Sequence, residues 1–234
     1  MPLVTYELSP TGNDAAVATI RMDDGKVNVL SIAMQAELWA ALDRAAADQA
    51  AVLLTGREGV LSAGFDLSVL MARDEQSAAM ARGGFELACR LLSFPAPVVV
   101  ACPGHAIAMG LFLLFSGDYR IGAAGPYKLT ANEVTFGVPV PATAIEILRQ
   151  RLAPAAVLRA TALAEPFSPA NAVETGFLDR VVEPADLMAT ATSVAAALAA
   201  LDRPAHAETK QRVRAAMLAT IRQTMVADGF AAAA

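Results

Sequence analysis

SAGFDL at residues 62–67 and GHAIAMGL at residues 104–111 are the two segments that decide the fold of this sequence. Each is predicted to follow a strand, turn at a glycine and open the first turn of a helix. Backbone N–H groups at a helix start have no intrahelical acceptor, and the helix dipole makes that end positive. Two such turns converging on one point would form an oxyanion hole, in which each donor contributes about 2.7–4 kcal/mol of transition-state stabilisation.

The hydrophobic pattern around these turns predicts an α/β core followed by a helical tail. Strands are predicted at residues 16–22, 51–55, 98–102 and 118–121, and residues 131–141 are predicted to be rich in loops. Helices are predicted at residues 33–47, 76–92, 108–116, 142–152, 155–163 and 169–175, and a long helical stretch at 184–228 is interrupted near residues 202–204.

Five segments, in chain order, resemble motifs of the crotonase superfamily of enoyl-CoA hydratases and isomerases. SAGFDL resembles its SAGxDL signature, and GHAIAMG at residues 104–110 resembles its GxAxGGG turn. KVNVL at 26–30, DYRI at 118–121 and NEVTFG at 132–137 are similar to its N-A-L helix entry, its D-x-R-I strand and its P-E-x-x-x-G loop. The resemblance implies a crotonase-like spiral of ββα turns with a C-terminal helical oligomerisation region. Residues 1–184 would form the spiral core with the acyl-CoA site, and residues 185–234 the helical trimerisation region.

The same resemblance implies roles for individual residues. The backbone N–H groups of Phe65 and Met109 would polarise the thioester carbonyl of an acyl-CoA. Backbone groups of Ala63, Phe65 and Leu67 would hold the adenine, and Lys26 is a candidate contact for a phosphate. The residues expected to bind the coenzyme A part are Lys26, Ala63, Gly64, Phe65, Asp66 and Leu67. Coenzyme A enters as part of the substrate, so no separate cofactor is expected, and the assembly implied is a homotrimer or a dimer of trimers.

The carboxylates indicate which reaction follows. Hydration in this superfamily uses two glutamates that grip one water; Glu133 matches the second of them, and Phe112 stands at the position of the first. A single carboxylate is enough to move a proton from C2 to C4 of a 3-enoyl-CoA. The apolar neighbours of Glu133 are expected to raise its pKa. Three interpretations stay open: a single-glutamate isomerase, a hydratase with a non-standard second acid or base, and a catalytically impaired protein that binds CoA thioesters.

Other polar residues are predicted to be structural. Asp66 is expected at a helix N-terminus, Asp118 at a strand position, and His105 as a packed, hydrogen-bonded imidazole. Lys210 has the same two alternatives as Lys26, either contact with a CoA phosphate or full solvation. Two histidines without clustered carboxylates or cysteines indicate no metal site.

Composition limits the classes of partner. The chain has 234 residues, 56% of them hydrophobic, a mean hydropathy of +0.46 and a net charge of −5, which argues against nucleic acid. Residues 91–117 carry no charge, but prolines and glycines divide them into a strand and a short helix, so no membrane span is expected. Two cysteines and no visible signal peptide predict a cytoplasmic protein.

Overall fold

The computed structural model describes residues 1–12 and 15–230. The strands are β1 (Val4–Gly12), β2 (Ala15–Met22), β3 (Ala51–Thr55), β4 (Gly59–Ser62), β5 (Val98–Cys102), β6 (Gly104–Ile107), β7 (Tyr119–Ala123), β8 (Leu129–Thr130) and β9 (Arg180–Val182). The helices are α1 (Ile32–Ala47), α2 (Leu67–Ala72), α3 (Glu75–Leu92), α4 (Met109–Phe115), α5 (Ala142–Arg149), α6 (Pro154–Ala160), α7 (Pro169–Thr175), α8 (Leu187–Ala199) and α9 (Arg203–Ala227). Two short 3₁₀ helices cover Glu133–Phe136 and Pro184–Asp186.

Two sheets receive strands from the chain in alternation. The larger sheet has the order β1-β2-β3-β5-β7-β9, and all its pairs except β1–β2 are parallel. The smaller sheet has the order β4-β6-β8 and is parallel throughout. From β3 to β8, each turn of the chain adds one strand to each sheet and then a helical segment, as in β3-β4-α2-α3 and β5-β6-α4. The predicted α/β spiral of ββα turns is therefore present.

The central strands β3 and β5 of the larger sheet are buried on both faces. Side chains alternate along β3, so Val52 and Leu54 belong to one hydrophobic cluster and Ala51 and Leu53 to another. The second cluster is completed by Leu187, Ala191 and Ala195 of α8. Burial on both faces explains why β3 and β5 are continuous apolar runs rather than alternating ones.

The predicted strands and helices are present, with ends that differ by a few residues. Strands β1, β8 and β9 were not predicted, residues 104–107 form strand β6 where a turn was predicted, and the segment predicted as loop contains the 3₁₀ helix Glu133–Phe136. The uncharged residues 91–117 are divided among the end of α3, β5, β6 and α4. Within residues 1–12 and 15–230, no single helix is both long and apolar enough to cross a membrane, although Pro184–Ala199 and Arg203–Ala227, bent by 102°, pass that test as a pair.

A cluster of charged side chains is buried between α9 and the core. The Asp118 carboxylate accepts hydrogen bonds from Lys210 at 2.7 Å and from Arg214 at 2.9 Å, and Arg120 pairs with Asp179 at 3.0 Å. Lys210 is only 8% exposed. The structure excludes the solvated alternative for Lys210, because α9 packs this face onto the segment before β7 and the ammonium group pairs with Asp118. The division at residue 184 and the trimer stay predictions.

Candidate active site

The turns at residues 62–67 and 104–111 lie side by side. Parallel pairing of β4 with β6 sets Ser62 opposite Ala106. Gly64 has a φ of +87°, and a Cβ atom there would lie 2.9 Å from the Ile107 carbonyl oxygen and 3.1 Å from the Met109 nitrogen. Only glycine fits this approach, since both the conformation and the space exclude a side chain. The two helix starts therefore converge, as the sequence predicted.

Two backbone N–H groups at this junction are unpaired. Neither Phe65 nor Met109 donates a backbone hydrogen bond to any of the described residues. The neighbouring Gly64 is fixed by its own bonds: its N–H donates to Ser62 Oγ at 3.1 Å, and its carbonyl accepts from the Leu30 N–H at 2.8 Å. The turn is thus rigid, while the two N–H groups expected to hold the thioester oxygen remain free.

Met109 stands where the superfamily turn has a glycine, and the structure shows how its side chain is accommodated. Ala108 takes a left-handed φ of 51°, and α4 begins at Met109. A Cβ at Gly84 of α3 would lie 2.5 Å from the Phe65 ring and 3.5 Å from Met109 Cγ. The side chains of Phe65 and Met109 both pack against Gly84, where the absence of a Cβ leaves room for them. The Met109 side chain therefore fits without using the backbone N–H of this residue.

Glu133 opens the first 3₁₀ helix and lines the cavity beside this junction. Its side chain is partly exposed, but Oε2 is buried and has no hydrogen-bond partner within the described part of the chain. Burial raises the pKa of Glu133 to about 7, with a smaller opposing effect from a hydrogen bond to its own backbone N–H. A carboxyl group with that pKa can both accept and return a proton near neutral pH.

The cavity has a volume of about 350 Å³ and an apolar lining. Asn132 and Glu133 contribute the polar side chains among the described residues that line it. Phe112 is 1% exposed and stacks on Phe85 with ring centroids 6.1 Å apart. The Phe112 ring therefore occupies the part of the cavity wall where a hydratase of this superfamily would have its second carboxylate. The lining residues are Ala63, Phe65, Leu67, Leu70, Met71, Ala81, Phe85, Ile107, Ala108, Phe112, Asn132, Glu133, Phe136, Val138, Pro141 and Phe230.

The residues predicted to bind coenzyme A lie at or next to this cavity. Ala63, Phe65 and Leu67 line it, and Gly64 forms the turn between them. Asp66 is the N-cap of α2 and accepts a hydrogen bond from the Ser68 N–H at 2.9 Å, as expected for a carboxylate at a helix start. Lys26 is exposed and precedes Val27, whose carbonyl accepts from the Ala63 N–H at 2.9 Å. The structure therefore leaves Lys26 free to reach a ligand at the turn.

His105 lies outside the cavity lining. Its Nδ1 accepts a hydrogen bond from the Lys128 N–H at 3.0 Å, and its ring packs against Tyr127. This confirms the hydrogen-bonded, packed imidazole. Across residues 1–12 and 15–230, no group of His, Cys, Asp or Glu side chains could hold a metal ion.

Sequence reasoning missed one part of the cavity wall, which comes from the end of the chain. Phe230 lines the cavity and stacks on Phe85 with ring centroids 4.7 Å apart and an interplanar angle of 19°. Phe230 follows α9, almost a hundred residues after Glu133. Its aromatic character within an alanine-rich tail was the signal that could have identified it.

Comparisons with known proteins agree with this geometry. A family model described as enoyl-CoA hydratase/isomerase matches residues 12–229. The human mitochondrial enoyl-CoA delta isomerase 1 is 31% identical over 207 residues, which are 86% of this chain and 68% of that protein.

Solved structures are similar over nearly the whole chain. The apo structure of an Mtb enoyl-CoA isomerase is 44% identical, with a TM-score of 0.91, and the match covers 97% of this chain and 98% of that one. A structure of the same protein from Mycobacterium tuberculosis H37Rv, described as a probable enoyl-CoA hydratase EchA3, is 45% identical, with a TM-score of 0.91 and coverages of 97% and 96%. The crotonase-like fold expected from the sequence is confirmed.

Proposed function

Because this chain belongs to the enoyl-CoA hydratase/isomerase family, we propose that it moves the double bond of a 3-enoyl-CoA to the conjugated 2 position with one glutamate. The observation that carries this proposal is the unpaired Oε2 of Glu133, in a cavity whose wall has Phe112 where a second carboxylate would be needed. Isomerisation needs one group that accepts a proton and returns it, whereas hydration also needs a water molecule held in position to attack the double bond.

The reaction balances with these groups alone. Glu133 removes a proton from C2, and the electron pair of that C–H bond forms a C1–C2 double bond while the thioester oxygen becomes negative. The free N–H groups of Phe65 and Met109 donate to that oxygen and stabilise the dienolate. The protonated Glu133 then returns the proton to C4, the C3–C4 double bond shifts to C2–C3, and the carbonyl is restored.

The cavity supports this chemistry in two ways. A pKa of about 7 leaves similar amounts of carboxylate and carboxylic acid at neutral pH, so neither proton transfer is strongly uphill. The apolar lining keeps bulk water from competing for the dienolate and strengthens the two N–H···O interactions. We assign the partly exposed turn at residues 63–67, with Lys26 beside it, to the coenzyme A part of the substrate.

Hydration is the second candidate, because relatives of this chain carry both names. It would need an acid or base other than residue 112. A protein that only binds CoA thioesters is the third candidate, but such a protein gains nothing from a carboxylate oxygen buried without a partner among the described residues, which costs stability.

The test is an assay of the purified protein with a trans-3-enoyl-CoA and a trans-2-enoyl-CoA, following conjugation of the first and water addition to the second. We expect isomerisation to exceed hydration, Glu133→Gln to lower the isomerisation kcat by about 10²–10⁴-fold, and kcat/KM to fall as the pH decreases through about 7. Glu86→Gln is the matched control, because Glu86 is exposed on α3 outside this cavity. Rapid Glu133-dependent hydration without isomerisation would establish the hydratase, and thioester binding without turnover would establish the binding protein.

A further inference from the structure

The end of the chain is fixed to the start of α5 by one carboxylate. Asp228 accepts hydrogen bonds from the Ala142 N–H at 3.2 Å, the Thr143 N–H at 2.8 Å and the Thr143 hydroxyl at 2.8 Å. The N-cap of α5, Pro141, makes no side-chain cap bond, so Asp228 supplies the capping acceptor from the far end of the sequence. This contact fixes the position of the three-residue segment 228–230.

A tight turn then directs the last described residue toward the cavity. Gly229 has a φ of +77°, which favours glycine, and the Phe230 N–H donates to the Met225 carbonyl at 2.7 Å. The Phe230 ring stacks on Phe85, which in turn stacks on Phe112. Three aromatic rings thus form one continuous wall of the cavity.

The three rings differ in how firmly they are held. Phe85 and Phe112 are each 1% exposed and lie on α3 and α4 inside the main hydrophobic cluster. Phe230 is partly exposed and is held by the Asp228 contact, one backbone hydrogen bond and its stacking on Phe85. A longer ligand would displace Phe230 long before it displaced either of the other rings.

The size of the cavity points to the ligand. Cavities for small molecules have volumes of about 300–1,000 Å³, so a volume of about 350 Å³ is at the lower end. The thioester and the acyl group must share this space with Glu133 at one wall and the aromatic rings at another. The cavity as it stands suits a short acyl chain.

We propose that Phe230 is a specificity-determining residue that restricts the site to short-chain acyl groups by closing the apolar end of the cavity. The inference rests on the proposed function, because it takes the cavity to be the acyl site. The Phe230 ring has no hydrogen-bonding group, so it takes no part in the proton transfer or in holding the thioester oxygen. Its replacement should therefore alter KM for long substrates more than kcat for short ones.

The experiment compares kcat/KM for trans-3-enoyl-CoAs with six, eight, ten and twelve acyl carbons. Wild type should prefer the six-carbon substrate. Phe230→Ala should raise the ratio of kcat/KM for the ten-carbon substrate to that for the six-carbon one by about tenfold, mainly through KM, since a hydrophobic contact of this size is worth about that factor. Phe230→Leu should give an intermediate ratio, and Phe230→Trp should lower it. Val226→Ala, on the adjacent turn of α9 and outside the lining, is the matched control and should leave the ratio unchanged.

An unchanged ratio in well-folded Phe230→Ala that still isomerises the six-carbon substrate would overturn the inference and leave the proposed function intact. If wild type isomerises none of the substrates, the proposed function fails, and calorimetric Kd values for the saturated butanoyl-, hexanoyl- and decanoyl-CoA esters then decide the inference by themselves. Tighter decanoyl-CoA binding in Phe230→Ala, with little change for butanoyl-CoA, would support it. Equal Kd changes at every length would contradict it.

Discussion

Two regions of this molecule bury ionisable side chains, and they treat them in opposite ways. Under α9, the two oxygens of Asp118 accept hydrogen bonds from Lys210, Arg214 and the Val98 N–H. In the cavity, Glu133 Oε2 is buried without a partner among the described residues. Burial of a charge is therefore not in itself a sign of function. A buried charge with every bond satisfied maintains the structure, whereas one left unpaired is kept for another purpose.

The two cations under α9, Lys210 and Arg214, also donate hydrogen bonds to backbone carbonyl groups of the core. Lys210 donates to the Ala96 carbonyl at 3.3 Å, and Arg214 donates to the Leu92 carbonyl at 2.7 Å. Leu92 ends α3, so Arg214 satisfies a carbonyl that the helix itself leaves open. These bonds join α9 to the core, and Asp118 is the anion that both cations share.

The largest effect should come from removing the shared anion of that region. Asp118→Asn leaves Lys210 and Arg214 buried without a counter-charge, so we expect the free energy of unfolding to fall by about 3–5 kcal/mol, measured by urea denaturation. Asp43→Asn is the control, because Asp43 pairs with Arg90 while 67% exposed, and its loss should cost less than about 1 kcal/mol. Equal losses for the two variants would show that the buried cluster contributes no more than a surface pair.

In the cavity, replacing the buried acid should raise the free energy of unfolding instead of lowering it. The pKa of Glu133 rises from 4.5 in the unfolded chain to about 7 in the folded one, so the folded state binds the proton more tightly and stability falls as the pH rises from 4.5 to 7. Glu133→Gln should therefore match wild type below pH 4.5 and be more stable by about 1–3 kcal/mol above pH 7. Urea titrations across that range check this. A difference that stays constant with pH would show that the carboxyl is not buried as described.

The smallest effect should come from Lys210. Burial lowers the pKa of Lys210 to about 8 despite the neighbouring Asp118, which indicates that its charge is costly to keep in place. Lys210→Met keeps the apolar stem and leaves Arg214 paired with Asp118, so we expect a loss of about 1 kcal/mol or less in the free energy of unfolding. A loss as large as that of Asp118→Asn would mean that Lys210, rather than the shared anion, holds the cluster together.

Much of the fold could be predicted because its signals are local. The runs at β3 and β5 are apolar, of strand length and bounded by glycine or proline, and their bounds agree with the structure. Strand β1 was missed because its exposed and half-buried residues carry no apolar run. It forms by antiparallel pairing with β2, which is a property of the pair and not of either segment.

The candidate site divides in the same way. Residues 62–67 and 104–111 contain their own turns, glycines and helix starts, so the free N–H groups of Phe65 and Met109 could be anticipated from a few neighbouring positions. Glu133 and Phe112 followed from the motifs that contain them. Phe230 could not be placed from the sequence. It contacts Phe85, which is 145 positions earlier in the chain, and only the packing of α9 against the core brings the two residues together.

The sequence by itself thus determined the α/β spiral, the two glycine turns that open α2 and α4, and the presence of Phe112 and Glu133 at two positions where a pair of carboxylates was the alternative. Tertiary structure decided that Glu133 Oε2 has no partner among the described residues, that Lys210 pairs with Asp118 across 92 residues of sequence, and that Phe230 lines the cavity. The physical reason is that backbone conformation and helix-end polarity depend on adjacent residues. Desolvation and pairing depend on whichever distant segments fill the space around a group.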